Sequence, residues 1–257
     1  MSGNNNSFIS LFLKSIPLGL ANTLPGVSGG TIALVLNIYE TLINAIKKIN
    51  LKRLIPIGLG AVLGVYIGSS VITDVYASNP ILLNYFLFGL VITSAHSTYK
   101  KMGNINFLKL LFLLIAFAGA LFFSMEFQVN FGSLNGYLLY FIAGFIGSIA
   151  MILPGISGGT ILVLMGVYHP LLAAINNLDI LFLLVFAVGV GLGLLVFANL
   201  FSLLLKNHYK KLMTVLTGLI LGSSAAVFPS VIIINGIFAF IVGAVIIIIL
   251  EMIGENT

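Results

Sequence analysis

One eight-residue string occurs twice in this chain, as Leu24-Pro25-Gly26-Val27-Ser28-Gly29-Gly30-Thr31 and as Leu153-Pro154-Gly155-Ile156-Ser157-Gly158-Gly159-Thr160, each time between apolar runs. Proline has no amide hydrogen and disfavours helix at the residue before it, and glycine adds backbone freedom, so a helix must break at Pro25 and again at Pro154. Beyond each break the next helix begins with unpaired amides and the positive end of its dipole. Ser28, Thr31, Ser157 and Thr160 add hydroxyls, while Gly26, Gly29, Gly30, Gly155, Gly158 and Gly159 let a ligand approach the backbone closely. Backbone donors and hydroxyls without a fixed positive charge suit a phosphate or a carboxylate. After the first motif, the pattern predicts an uninterrupted helical run from Ile32 to Ile46.

The elements that hold these motifs are membrane helices. Of 257 residues, 60% are hydrophobic and 7% charged, a composition that excludes a water-soluble globule. Apolar stretches at 8–24, 27–46, 54–72, 81–98, 107–124, 137–153, 156–175, 180–205, 212–228 and 231–250 mostly approach the ~20 residues of a spanning helix. They are about twice the length of barrel strands. The first stretch lacks the basic start of a cleaved signal peptide. Without cysteine there is no disulfide framework, thiol nucleophile or cysteine metal site.

The net charge of +5 is an orientation signal rather than a nucleic-acid footprint. Lys47, Lys48, Lys52 and Arg53 follow the second stretch, Lys100 and Lys101 the fourth, and Lys206, Lys210 and Lys211 the eighth. Loops of opposite parity carry Asp74, Glu126 and Asp179 without lysine or arginine. The positive-inside rule then places the basic loops and both termini in the cytoplasm, next to anionic membrane lipids.

A constant shift of 129 residues pairs the two motifs and also Tyr39 with Tyr168, Leu42 with Leu171, Gly60 with Gly189, Gly64 with Gly193, Gly89 with Gly218 and Ser94 with Ser223. Residues 8–124 and 137–250 therefore read as an internal duplication joined by a polar connector, 125–136. Each half holds five apolar segments, an odd number, so the second half enters the membrane from the opposite side: an inverted-topology repeat. The expected fold is an all-α polytopic membrane protein in one membrane domain.

Two geometries fit this parity. Either the first two segments of each half span the membrane and the motif is a surface loop, or they dip in as a re-entrant hairpin with the motif near the midplane. Lys14 favours the hairpin: a full span would bury its ammonium about 9 Å below the entry point, whereas a tip at Pro25 leaves it about 15 Å away, at headgroup level.

Further polar residues fall on apolar segments: Asn22, Thr23, Asn37, Asn44, Asn84, Thr93, Ser94 and His96. Each has a bland reading as a hydrogen bond across a helix interface. Glu40 and His169 lie nine residues after their threonines, about 14 Å along a continuous helix and so near opposite membrane surfaces. They read as interfacial polar residues at helix ends, or, for His169, as a titrating group that helps capture an anion from outside. Gly60, Gly64, Gly68, Gly189 and Gly193 read as close helix packing. No paired carboxylates, zinc motif or phosphate-binding loop appears, and nothing specifies a metal, a cofactor or a coupling ion.

The paired PGVSGGT and PGISGGT segments, followed by Tyr39-Glu40 and Tyr168-His169, resemble the bacterial polyprenyl-phosphate transporter family, formerly a family of unknown function. The resemblance covers nearly the whole chain. It implies recycling of undecaprenyl phosphate, the lipid carrier of cell-wall precursors, from the outer to the inner leaflet of the cytoplasmic membrane. It also implies a membrane-embedded pocket formed by two facing hairpins. The residues themselves leave open a small-anion transporter or channel, and a membrane-embedded lipid phosphatase or transferase.

Overall fold

The computed structural model describes residues 7–24, 26–124 and 136–255, without the side chains of 70–77. Pro25, Glu126 and all of the 125–136 connector except Gly136 lie outside the described residues, as does the side chain of Asp74. Every regular element among the described residues is helical. In order they are α1 (Phe8–Asn22), α2 (Gly29–Val35), α3 (Tyr39–Lys47), α4 (Leu51–Ser78), α5 (Pro80–Tyr99), α6 (Phe107–Ser124), α7 (Tyr137–Ile152), α8 (Gly158–Leu164), α9 (Tyr168–Asn176), α10 (Ile180–Ser223), a 3-10 turn (Ser224–Val227) and α11 (Ile234–Glu255). The protein is a polytopic membrane protein: α4, α5, α6, α10 and α11 are each long and apolar enough to cross a bilayer.

At 44 residues α10 contains about 66 Å of helix, twice a hydrocarbon core, enough length for two crossings. Its helical path breaks at His208, where φ is −136° and ψ 35°. The arms pack on different neighbours. Gly189 and Gly193 of the first lie against the Phe141 and Phe145 carbonyls of α7, and Gly218 and Gly222 of the second against Leu113 and Phe117 of α6. Gly60 and Gly64 likewise place α4 on the Phe12 and Ile16 carbonyls of α1. These glycines let backbones approach to where a methyl group would overlap a carbonyl oxygen, the close packing their spacing predicts.

The elements recur at the spacing of the sequence pairs. Phe8 and Tyr137, Gly29 and Gly158, and Tyr39 and Tyr168 each open a helix 129 residues apart. The last helices cross over between halves, α5 packing on α11 and the second arm of α10 on α6.

One expectation fails. The run from Ile32 to Ile46 is not one helix: α2 and α3 meet at 117°, and α8 and α9 at 102°. The cause is a C-terminal cap in the left-handed conformation, Asn37 (φ 55°) in the first half and Gly166 (φ 68°) in the second. Past each cap the chain turns back, with the Ile38 amide bonded to the Ala33 carbonyl and the Val167 amide to Leu162. Glu40 and His169 therefore do not end a long helix; each sits in the first turn of a new one, and both are exposed.

The basic segments gather at one end of the molecule. Lys47 Nζ bonds Ser202, Lys100 pairs with Glu251 at 3.2 Å, and Lys101 Nζ bonds the Leu34 carbonyl and Asn37 Oδ1. Burial pushes the Lys101 ammonium below the usual lysine range, against the pull of Glu251, Glu255 and Glu40.

Candidate functional site

Both motifs turn on a glycine in the left-handed region, Gly26 at φ 70° and Gly155 at φ 79°. A side chain at Gly26 would meet Val227, and one at Gly155 would meet the Leu219 backbone, so each tip is wedged against the second arm of α10 or the turn after it. Ser28 and Ser157 then cap α2 and α8, accepting from the Gly30 amide at 3.1 Å and the Thr160 amide at 3.5 Å.

The two motifs touch. Ser28 Oγ donates to the Leu153 carbonyl at 3.0 Å, and Tyr39 Oη donates to the Ile152 carbonyl at 3.3 Å. Gly30 lies so close to the Ile152 carbonyl that a methyl group there would overlap it. Segments about 125 residues apart thus share a wall of backbone and hydroxyl groups.

Beside this contact is a cavity of about 210 Å³. Gly26, Ser28, Gly155, Ser157 and Thr160 line it from the motifs, together with Ser124 and Phe123 of α6 and Ser223 at the end of α10. Its polar wall is made of hydroxyls and peptide groups, with no ionised side chain among the described residues, while Val27, Ala120, Ile156, Ile161 and Ala226 make the rest apolar. Such a wall can hydrogen-bond an anionic oxygen and at the same time tolerate hydrocarbon beside it.

The motifs are not in the same condition. In the first, Ser28 is 3% and Thr31 2% exposed, and every first-turn amide has an acceptor. Gly29 bonds Asn22 Oδ1, Gly30 bonds Ser28 Oγ, and Thr31 and Ile32 bond the Ser28 carbonyl. In the second, Ser157 and Gly159 are exposed, and the Gly158 and Gly159 amides have no acceptor among the described residues. Residue 151, the counterpart of Asn22, is Met151, which has no oxygen to offer. Asn22 thus caps α2 instead of facing the cavity.

Gly29, Gly30 and Pro154 are buried behind the lining, and Thr31 is sealed under Ser28. Lys14, 7% exposed, is buried away from the cavity, and Glu40 and His169 do not line it. Ser124, Phe123 and Ser223 line it without having been expected. The available signal was the pairing of Ser223 with Ser94, two hydroxyls at equal positions on apolar helices.

The sequence profile of a family described as undecaprenyl phosphate translocase-like matches residues 18–239. The chain belongs to that family. Both motifs and every residue lining the cavity of this translocase-like protein fall inside the matched span. It is 34% identical over 250 residues to a polyprenyl-phosphate transporter of Vibrio cholerae, covering 89% of this chain and 80% of the relative. To a polyprenyl-phosphate transporter of Staphylococcus aureus it is 29% identical over 240 residues, covering 84% and 85%. No solved structure matches. The family and these relatives are transporters, not enzymes.

Proposed function

We propose that this membrane protein transports a polyprenyl phosphate, undecaprenyl phosphate, from the outer to the inner leaflet of the bacterial cytoplasmic membrane, binding its headgroup between the two SGGT segments. The observation that carries the reading is the junction of the motifs: Ser28 bonds Leu153, and Gly26, Ser28, Gly155, Ser157 and Thr160 line one cavity. A phosphate monoester presents acceptor oxygens to such a wall, and peptide dipoles and hydroxyls stabilise its charge without a side-chain cation.

The proposed topology is an inverted repeat, residues 8–124 and 137–250, with α1–α2 and α7–α8 as re-entrant hairpins. Seven-residue α2 and α8 are about 10 Å long, too short to cross, and the bends after them turn α3 and α9 away. The gathering of Lys47, Lys100, Lys101 and Lys210 at one end supports a cytoplasmic location for that end and for both termini. The V. cholerae and S. aureus relatives supply the substrate class.

Lipid mass spectrometry of the purified protein tests this reading. A co-purifying polyprenyl phosphate is expected, reduced when Ser157 and Thr160 are replaced by alanine. Its full retention in the double variant would refute the assigned site. Failure of the protein to accelerate polyprenyl-phosphate flipping in vesicles would refute the function.

A further inference from the structure

A cavity of about 210 Å³ is smaller than the roughly 300–1,000 Å³ that encloses a drug-sized ligand, so it can take a phosphate headgroup but not a long hydrocarbon chain. The chain must leave through the wall. Among the described residues, α6 packs on α10 and the 3-10 turn, and α8 packs on α7 and α9, with the cavity between α6 and α8. Beside the hydroxyls of Ser124, Ser157 and Thr160, apolar side chains line the cavity from both sides: Ala120 and Phe123 from α6, Ile156 and Ile161 from the second motif. Phe123 is 41% exposed.

The equivalent seam in the other half, between α11 and α2, is shut. Gly254 of α11 lies against the backbone of Val35 and Leu36, where a methyl group would sit 2.8 Å from the Val35 carbonyl oxygen. Lys101 holds the same end of α2 through the Leu34 carbonyl at 3.1 Å and Asn37 Oδ1 at 2.7 Å, and the Lys100–Glu251 pair ties α11 to α5. At the positions 129 residues away from Lys101 and Asn37 the chain has Ser230 and Gly166, so among the described residues no lysine holds the equivalent end of α8. The shut seam belongs to the buried motif, while the motif beside α6 keeps Ser157 and Gly159 exposed.

We propose that the hydrocarbon tail of a phosphate-bearing lipid enters sideways between α6 and α8, and that the α2–α11 seam, clasped here by Lys101, is the second passage, through which the tail leaves. This rests on the reading of the cavity as a lipid-phosphate site. Seams open in opposite senses give the tail one route at a time, as alternating access requires.

The chain has no cysteine, so an introduced pair reacts alone. In Phe123→Cys with Ile161→Cys, a short bis-maleimide would staple the α6–α8 seam, with stapling verified by intact mass. Binding of undecaprenyl phosphate and of dimethylallyl phosphate, which carries a single isoprene unit, is then measured with and without the staple. Phe123 and Ile161 also line the headgroup cavity, so the reading is the difference between the probes: the staple is expected to weaken the long-chain lipid at least about tenfold more than the short-chain phosphate. Unchanged binding of both, or equal loss of both, would overturn the passage while leaving the headgroup site standing. If the unstapled protein binds neither probe, the lipid-phosphate reading itself fails and the passage with it.

Discussion

Ser28 and Ser157 occupy the same place in the two motifs, yet alanine should affect them in opposite orders. Ser28 is buried, and its hydroxyl both caps α2 and donates to the Leu153 carbonyl. Replacing it removes a cap worth about 1 kcal/mol and a net hydrogen bond of about 0.5–1.5 kcal/mol to the Leu153 carbonyl, which keeps a 3.4 Å bond from the Ile156 amide, a total near 1.5–2.5 kcal/mol. Ser157 is exposed and makes one long capping contact of 3.5 Å, which water can replace. Its loss should cost no more than about 0.5–1 kcal/mol of stability. With roughly 2–4 °C per kcal/mol for a chain of this size, Ser28→Ala should lower the Tm by about 3–10 °C and Ser157→Ala by at most about 4 °C. Polyprenyl-phosphate binding should run the other way, because Ser157 faces the open part of the cavity. Measured on well-folded protein at a temperature below both transitions, Ser157→Ala should weaken binding more than Ser28→Ala. The assays are thermal unfolding in detergent and equilibrium binding of undecaprenyl phosphate. Equal Tm losses for the two variants would refute the assignment of the inter-motif hydrogen bond, and equal binding losses would refute the asymmetry.

Glycine packing gives a matched pair on α4. Gly64→Ala should lose most folded protein on size exclusion, because the methyl group meets the backbone of Ile16 and Leu20, while Gly58→Ala, which meets nothing, should be neutral or gain about 0.5–1 kcal/mol in thermal unfolding. Lys101→Met should loosen the α2–α11 seam by the loss of a charge-assisted hydrogen bond of about 1.5–3 kcal/mol. A cysteine at Val27 should then react about tenfold faster or more with an impermeant maleimide applied from the basic end, and an unchanged rate would argue against the clasp. His169→Gln should leave headgroup affinity within about twofold, since His169 is exposed and outside the cavity; a larger loss in a binding titration would place it in the site after all.

The sequence reaches the motifs through local chemistry. Pro25 and Pro154 are each followed directly by a glycine, and that Pro-Gly step ends the helix where the prolines inside α1 and α4, Pro17 and Pro56, do not, so the two breaks can be read from the sequence. The bends after α2 and α8 are equally local, yet the run from Ile32 to Ile46 reads as one helix. Asn37 and Gly166 stand 129 residues apart and are the residue types that cap helices in the left-handed conformation, but each lies inside an apolar run whose length alone suggests one span. Asn22 shows the other limit. A lone amide on an apolar helix has many possible partners, and only the fold shows that it bonds Gly29.

Composition and the duplicated pattern by themselves determined a membrane protein with two broken, donor-rich segments, because hydrocarbon tolerates no unpaired backbone and the pairing is written in residue types. The tertiary structure decided that the segments meet, that α6 and the end of α10 complete the wall, and that one motif is sealed while the other stands open. Two nearly identical strings cannot encode that difference. It arises from non-repeated neighbours, Asn22 against Met151 and Lys101 against Ser230, whose effect depends on what long-range packing brings beside them.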